Sequence, residues 1–129
     1  MIADIFIPIT TAAATCVYKG RIWLTGGRTS KYVTWDLSDS YTTADTWSSA
    51  NGGIWRQEDE MTGDYWAQNA DVLQYPGGIV APWFARYAHS LDAIDIDGDG
   101  EDDMMILMGG YASSPSNDVW VTKDGKHWV

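Results

Sequence analysis

The sequence predicts an all-β fold, and three observations carry that prediction. Eight Trp and seven Tyr stand against two Phe, with 13 Gly, in 129 residues; Trp and Tyr suit pleated, half-buried strands, and glycine supplies the positive φ of tight turns. No 12-residue window combines apolar residues at helical spacing with proper caps, and the best helical candidate, residues 64–73, is short and reads equally well as a loop. One pattern also occurs twice: Asp45-Thr-Trp47-Ser-Ser-Ala-Asn51-Gly52-Gly-Ile-Trp55 and Asp118-Val-Trp120-Val-Thr-Lys-Asp124-Gly125-Lys-His-Trp128 share D-x-W-x3-[ND]-G-x2-W with identical spacing.

The elements follow in order. Residues 1–11 read as an N-terminal arm, with a short strand at Ile5 to Ile7 before Pro8. Residues 12–57 form a first unit: a strand from Ala12 to Tyr18, an inner strand Arg21-Ile-Trp-Leu-Thr, the pair Gly26-Gly27, and a hairpin turning at Asn51-Gly52. Residues 58–82, with Glu58-Asp59-Glu60 and Tyr75-Pro-Gly-Gly78, match neither unit and read as an inserted loop. Residues 83–129 repeat the order: a strand from His89 to Ile96, the apolar run Met104 to Met108, Gly109-Gly110, and a hairpin turning at Asp124-Gly125. A three-residue hairpin loop would set Trp47 opposite Trp55 and Trp120 opposite Trp128, adding about 0.5–1 kcal/mol per facing aromatic pair. Each unit holds about four strands, the content of one β-propeller blade, so the chain predicts about two four-stranded antiparallel blades.

Charge narrows the function classes. Eighteen acidic and eight basic residues give a formal charge of −10, which argues against binding a phosphate backbone. A single cysteine, Cys16, excludes a disulfide scaffold within one chain, and no Cys/His set makes a structural zinc site. No apolar run approaches the roughly 20 residues that cross a bilayer, and no signal peptide is legible at the start. There is no Ser-His-Asp signature, phosphate-binding glycine loop or zinc helix, so no catalytic residue is assigned.

Six of the acids fall in residues 95–103. Asp95-Ile-Asp97-Gly-Asp99-Gly100-Glu101-Asp-Asp103 fits D-x-D-x-D-G-x-x-D, with Asp95, Asp97, Asp99 and Asp103 at oxygen-ligand positions and Glu101 at the position that supplies a backbone carbonyl. This spacing lets a chain wrap one Ca²⁺ at about 2.3–2.6 Å, and repulsion among carboxylates so close together calls for a counter-ion. Asp102 falls outside the pattern and should face solvent. An EF-hand needs Glu at position 12, where this chain has Ile106 within an apolar run. The expected ion is structural. Glu58, Asp59 and Glu60 read as a second cation site or, more simply, as an exposed loop.

The order Arg86-Tyr-Ala-His89-Ser, apolar strand, Gly109-Gly110, Asn117-Asp118-Val-Trp120, Asp124-Gly125, Trp128 resembles a kelch repeat, the blade of kelch and galactose-oxidase-type propellers. The acidic loop resembles the calcium loop of FG-GAP propellers of the integrin α-subunit type, which joins the first two strands of a blade. Thr122-Lys-Asp124-Gly125-Lys-His-Trp128 is also similar to the aspartate box of sialidase-like propellers, one residue short. The first unit departs from the kelch pattern. It lacks the Arg and His before its first strand, and it has 19 residues between Gly27 and Trp47 where the second has nine between Gly110 and Trp120.

The kelch resemblance implies that Arg86 and His89 make structural hydrogen bonds, with Trp83, Arg86 and His89 as the alternative ligand surface. Asp45, Asp118 and Asn117 are expected to bond backbone amides at turns, Cys16 to be a buried thiol, and His127 to lack an acidic or nucleophilic partner. Kelch propellers have about six blades, so two leave sheet faces and edges unpaired. The expected function is a calcium-stabilised, non-catalytic binding or assembly module, outside the cell or at its surface, whose partners are other copies, the rest of a longer propeller, or a protein or glycan ligand. The alternatives are a structural subunit of an extracellular filament, through strand donation by residues 1–10, and a fragment of a propeller oxidase, mutarotase or glycosidase.

Overall fold

The computed structural model describes residues 10–30, 40–58, 83–112 and 114–129. The predicted strand at Ile5 to Ile7, the helical candidate at 64–73 and most of the 58–82 insertion lie outside them. Among the described residues there is no helix, and the strands form antiparallel sheets.

The first unit is a four-stranded meander, β2-β3-β6-β7. Its strands are β2 (Ala14–Tyr18), β3 (Arg21–Thr25), β6 (Thr46–Ser49) and β7 (Arg56–Gln57). Lys19 and Gly20, both at positive φ, form the two-residue turn that sets Tyr18 opposite Arg21. The second unit runs β8 (Ser90–Ile94), β9 (Met104–Met108) and β10 (Val119–Thr122), with spatial order β10-β9-β8. Val129 adds the start of a fourth strand, because it and Val121 exchange both backbone hydrogen bonds. A small third sheet joins β1 (Thr10–Thr11), β4 (Arg28–Ser30) and β5 (Ser40–Thr42) in the order β1-β4-β5. The two larger sheets, of four and three strands, are compatible with propeller blades.

The core lies between those two sheets. Ala14, Tyr18 and Trp23 of the first meet Leu91, Met105, Leu107 and Trp128 of the second, with Trp83 and Ala44 beside them. Because the strands alternate in direction, each sheet has two kinds of end. The turns at 19–20, 50–55, 95–103 and 123–128 share one end. The glycine pairs, residues 43–45, Glu58 and the 83–89 segment gather at the other.

The hairpins do not pair their tryptophans. Trp47 stands opposite Gln57 and Ser48 opposite Arg56, and the Val121–Val129 pair puts the second hairpin in the same register. The loops are therefore five residues long. A five-residue loop is stabilised by side chains. Ser49 Oγ accepts from the backbone N–H of Asn51 (3.3 Å) and Gly52 (2.8 Å), and Asn51 Oδ1 accepts from Gly53 (2.9 Å) and Ile54 (3.0 Å). Thr122 Oγ1 accepts from Asp124 (3.4 Å) and Gly125 (2.9 Å), and Asp124 Oδ1 from Lys126 and His127 (both 2.8 Å). The hydroxyl two residues before the Asn or Asp is thus a sixth matched position of the repeat. It makes the turn a closed polar cage rather than a glycine bulge.

Candidate functional site

The end that gathers the glycine pairs is built around the segment from Trp83 to His89. Its main chain is bonded to the first unit, where Gly27 N–H donates to Arg86 O (2.8 Å), Arg86 N–H to Thr43 O (3.1 Å) and Ala88 N–H to Ala12 O (2.9 Å), and to the second through Tyr87 and Tyr111. Ala12 and Ala88 each sit two residues before the first strand of their unit, at φ 55° and 56°. These left-handed alanines, a strained conformation for any residue with a Cβ, are a second structural repeat that the sequence pattern does not reveal.

Arg86 is fully buried. Its Nη1 and Nη2 bond the Asp118 carboxylate at 2.5 and 2.7 Å, Nη1 also reaches Gly109 O, and Nε donates to Phe84 O. The hydrogen bonds from Arg86 hold the Asp118 carboxyl down to about pKa 2. Asp118 Oδ2 also accepts the indole N–H of Trp120 at 2.7 Å, and Asp45 Oδ2 accepts that of Trp47 at 2.5 Å. The D-x-W spacing is explained by the strand period: residues i and i+2 share a face, so the carboxylate meets the indole. Asp45 and Asp118 were expected to bond backbone amides; beyond that, each accepts an indole N–H, Asp45 also the Thr43 hydroxyl and Asp118 the Arg86 guanidinium.

His89 is 9% exposed, with Nε2 2.9 Å from Thr25 Oγ1 and its ring beside Trp83. Burial, reinforced by the neighbouring Arg86 cation, lowers its pKa from 6.5 to about 4. The glycine pairs exist for this approach. A Cβ on Gly26 would lie 2.7 Å from both Arg86 O and the His89 ring, and one on Gly110 2.7 Å from His89 Cβ. Trp83, Arg86 and His89 are therefore brought together, as a buried cluster joining the two sheets.

Beside that cluster is an open aromatic shelf. Tyr87 and Tyr111 exchange both backbone hydrogen bonds (3.0 and 2.9 Å), which fixes their rings 5.5 Å apart at 48°. The Arg28 guanidinium lies over Tyr87 at 5.3 Å. Tyr111 is 41% exposed, and Phe84, on the same segment as Tyr87, is 61% exposed. Tyr87 and Tyr111 were not singled out in the sequence; the positions following Arg86 and the second glycine pair were the available signal.

At the opposite end, the acidic loop brings Asp95, Asp97 and Asp99 together, with one carboxylate oxygen of each within 4.8 Å of the others. Asp95 accepts from the N–H of Gly98 and Gly100, which lowers its pKa. Asp97 accepts from Asp99 N–H and Asp99 from Glu101 N–H. Glu101 stands outside the trio, and Asp103 turns its carboxylate to the Ile96 N–H at 2.8 Å. Asp102 is exposed. Three exposed carboxylates at alternate positions are a donor set of the hard-oxygen kind that suits Ca²⁺.

Three further expectations change. Glu58 is 4% exposed rather than part of an open loop; its N–H continues the β7 pairing to Thr46 O, and Arg56 Nε holds its carboxylate at 2.8 Å. His127 does have an acidic partner, with Nδ1 2.6 Å from Asp124 Oδ2. Partial burial alone would raise the Asp124 carboxyl, and the bonds from His127 and the turn amides outweigh it, so its pKa is lowered. Cys16 is half-buried on β2, and burial, with the nearby Asp92 charge, pushes its thiol up to about 11. It is a poor nucleophile.

No family model matches the chain, and no curated protein is similar to it. Solved structures are. A structure from the GH130 family, described as mannoside phosphorylases containing glycoside hydrolases that target β-1,2 mannosidic linkages in Candida mannan, superposes with a TM-score of 0.50 at 12% identity, over 98% of this chain and 37% of that one. A glycosyl hydrolase from Bacteroides ovatus has a TM-score of 0.49 at 16% identity, over 93% of this chain and 30% of that one. The chain spans about a third of the length of these structures, and the likeness is one of fold. It corrects the kelch and FG-GAP resemblance, since the fold shared at a TM-score of 0.50 is that of a GH130-family structure. The expectation of a non-enzyme is corrected with it: the fold shared at a TM-score of 0.50 is that of a structure from a family of phosphorylases and glycoside hydrolases, so the fold gives that expectation no support. Among the described residues no helix is long and apolar enough to cross a membrane.

Proposed function

We propose that the chain is a two-blade part of a carbohydrate-active β-propeller of the glycosidase type, and that it contributes a sugar-binding shelf to it. The observation that carries this reading is the Tyr87–Tyr111 pair, two amphipathic rings held by a reciprocal backbone bridge at the end where the long connections gather. Aromatic faces bury the apolar side of a sugar ring while phenolic and guanidinium groups meet its hydroxyls. Glycoside cleavage needs two carboxylates flanking the bond. At this end Glu58 and Asp118 are each engaged by an arginine and Asp45 by Trp47, so they hold structure, and the acid pair comes from outside the described residues. The test is calorimetric titration with β-1,2-linked manno-oligosaccharides and a cellulose-derived control. Binding weakened at least tenfold by Tyr111→Ala is expected; unchanged binding, or none to any saccharide, refutes the shelf.

The acidic loop supports a structural Ca²⁺ held by Asp95, Asp97 and Asp99 and reached by further oxygens of the same loop. The ion would fasten the β8–β9 connection and do no chemistry. Millimolar calcium is expected to raise the melting temperature of the native chain and not that of Asp97→Asn. Equal melts of the native chain with calcium and with chelator would remove the ion from the reading.

A further inference from the structure

The register of the second sheet places Ile94, Met104, Ile106, Met108, Val119 and Val121 on one face, with Asp92 opposite Ile106 and Ser90 opposite Met108 along its β8 edge. The pairs Ile94 with Met104, Ile106 with Val121, and Met108 with Val119 run across it. The opposite face, with Leu91, Met105 and Leu107, is buried against the first sheet at 3%, 0% and 0% exposure. The aliphatic face is not covered in this way: Met108 is 39% and Val119 54% exposed, and Ile94, Met104, Ile106 and Val121 are half-buried. A recess of about 340 Å³ opens in it between Met104, Val121 and Val129, with His127 and Lys123 on its rim. A sheet face that is aliphatic across β9 and β10, with its polar residues confined to the β8 edge, marks a contact surface.

The repeat indicates what covers it. Aligned on the glycine pairs and on D-x-W, Ile106 takes the place of Trp23, Met108 of Thr25, and Val121 of Ser48. In the first unit those positions face the second sheet, where Trp23 lies against Gly125 and Thr25 meets His89. By the same alignment, the second sheet's inward residues Ala93, Met105 and Leu107 correspond to Val17, Ile22 and Leu24 of the first. Those three lie on the first sheet's other face, where Val17 is 64% exposed and Ile22 and Leu24 are half-buried. One blade-to-blade contact is thus complete inside the chain, and the two halves of another lie on its two outer faces, the first sheet's half being exposed at Val17 and closed at Trp47 and Ser49.

We propose that these halves join between copies: the Ile106–Val121 face of one chain seats the Val17–Ile22–Leu24 face of a second copy, as the chain's own second sheet seats on its first. The contact is head-to-tail, so it propagates into a ring or a fibre rather than closing as a two-fold dimer. The proposal rests on the blade reading above and goes beyond it by naming the partner.

Sedimentation velocity of the native chain at micromolar concentration reads it directly. Species larger than a monomer are expected. Ile106→Glu and Val17→Glu, each blocking one half, should separately give monomers, and their equimolar mixture should give a discrete dimer, since one intact pair of faces remains. Val119→Lys, at a half-exposed edge position, repeats the first block in case Ile106→Glu does not fold. A monomeric native chain at 100 µM overturns the proposal, and so does a mixture of folded variants that stays monomeric. A dimer that survives Val17→Glu overturns the head-to-tail arrangement. A monomer that still binds saccharide leaves the proposed function standing while the docking falls; an oligomer that binds none does the reverse.

Discussion

His89 makes the stability of this fold depend on pH between neutrality and pH 5. The side chain is 9% exposed, donates to or accepts from Thr25 at 2.9 Å, and faces the Arg86 cation. Burial and that cation lower its pKa from 6.5 to about 4. A depressed histidine favours the neutral form in the folded state. Its contribution is complete above pH 6.5 and is lost as pH falls towards 4, because the unfolded chain takes up a proton that the folded chain refuses. Linkage puts the loss at about 2 kcal/mol at pH 5 and about 3 kcal/mol once both states are protonated. For a chain of this length, 2 kcal/mol corresponds to roughly 6–10 °C in melting temperature. The assay is thermal unfolding at pH 7 and pH 5 in a His127→Gln background, which removes the only other histidine. His89→Gln keeps a group that can bond Thr25 and removes the titration, so its melts at the two pH values should coincide. Equal melts of the His127→Gln parent at pH 7 and pH 5 would refute the burial of a neutral His89, as would a slope that persists in His89→Gln.

Two more predictions concern the contact between the sheets. Gly125 sits at φ 77° against the Trp23 ring, where a Cβ would lie 2.1 Å from Trp23 Cζ3, whereas Gly20, at φ 72°, has open space around it. Gly125→Ala should cost about 3 kcal/mol and Gly20→Ala about 1 kcal/mol by chemical denaturation, the difference being the clash rather than the backbone. Tyr18 Oη lies 2.9 Å from both Asp103 O and Lys123 O, and its single proton is shared between them. Tyr18→Phe should cost about 1–2 kcal/mol; a change below 0.5 kcal/mol would mean the hydroxyl does not tie the second sheet's turns to the first.

The repeat was legible because it is local. Asp45, Trp47, Asn51, Gly52 and their counterparts act within a few residues of one another, so spacing alone exposed two like hairpins. The loop length was misread for a physical reason: Asn-Gly and Asp-Gly pairs are compatible with short glycine turns, and the hydroxyls of Ser49 and Thr122, which capture the amides and extend the loop to five residues, show only in the hydrogen bonds. The alternate acids of 95–103 were equally plain, but the chain path decides which of them converge, and Asp103 is taken by the Ile96 amide.

The amino-acid sequence by itself determined what depends on period and spacing: an all-β chain, two units of like order, and a loop able to gather oxygen ligands. Strand alternation even sorts residues onto faces. What it does not contain is which face a neighbour covers, because that depends on groups brought from far along the chain. Only the tertiary structure decided that Gly26 and Gly110 are there to admit His89 and Arg86, that Arg86 is a buried tie to Asp118, and that Leu107 is covered while Val119 is open. Those outcomes follow from one sheet packing on another, a contact between residues some 80 positions apart that no local pattern records.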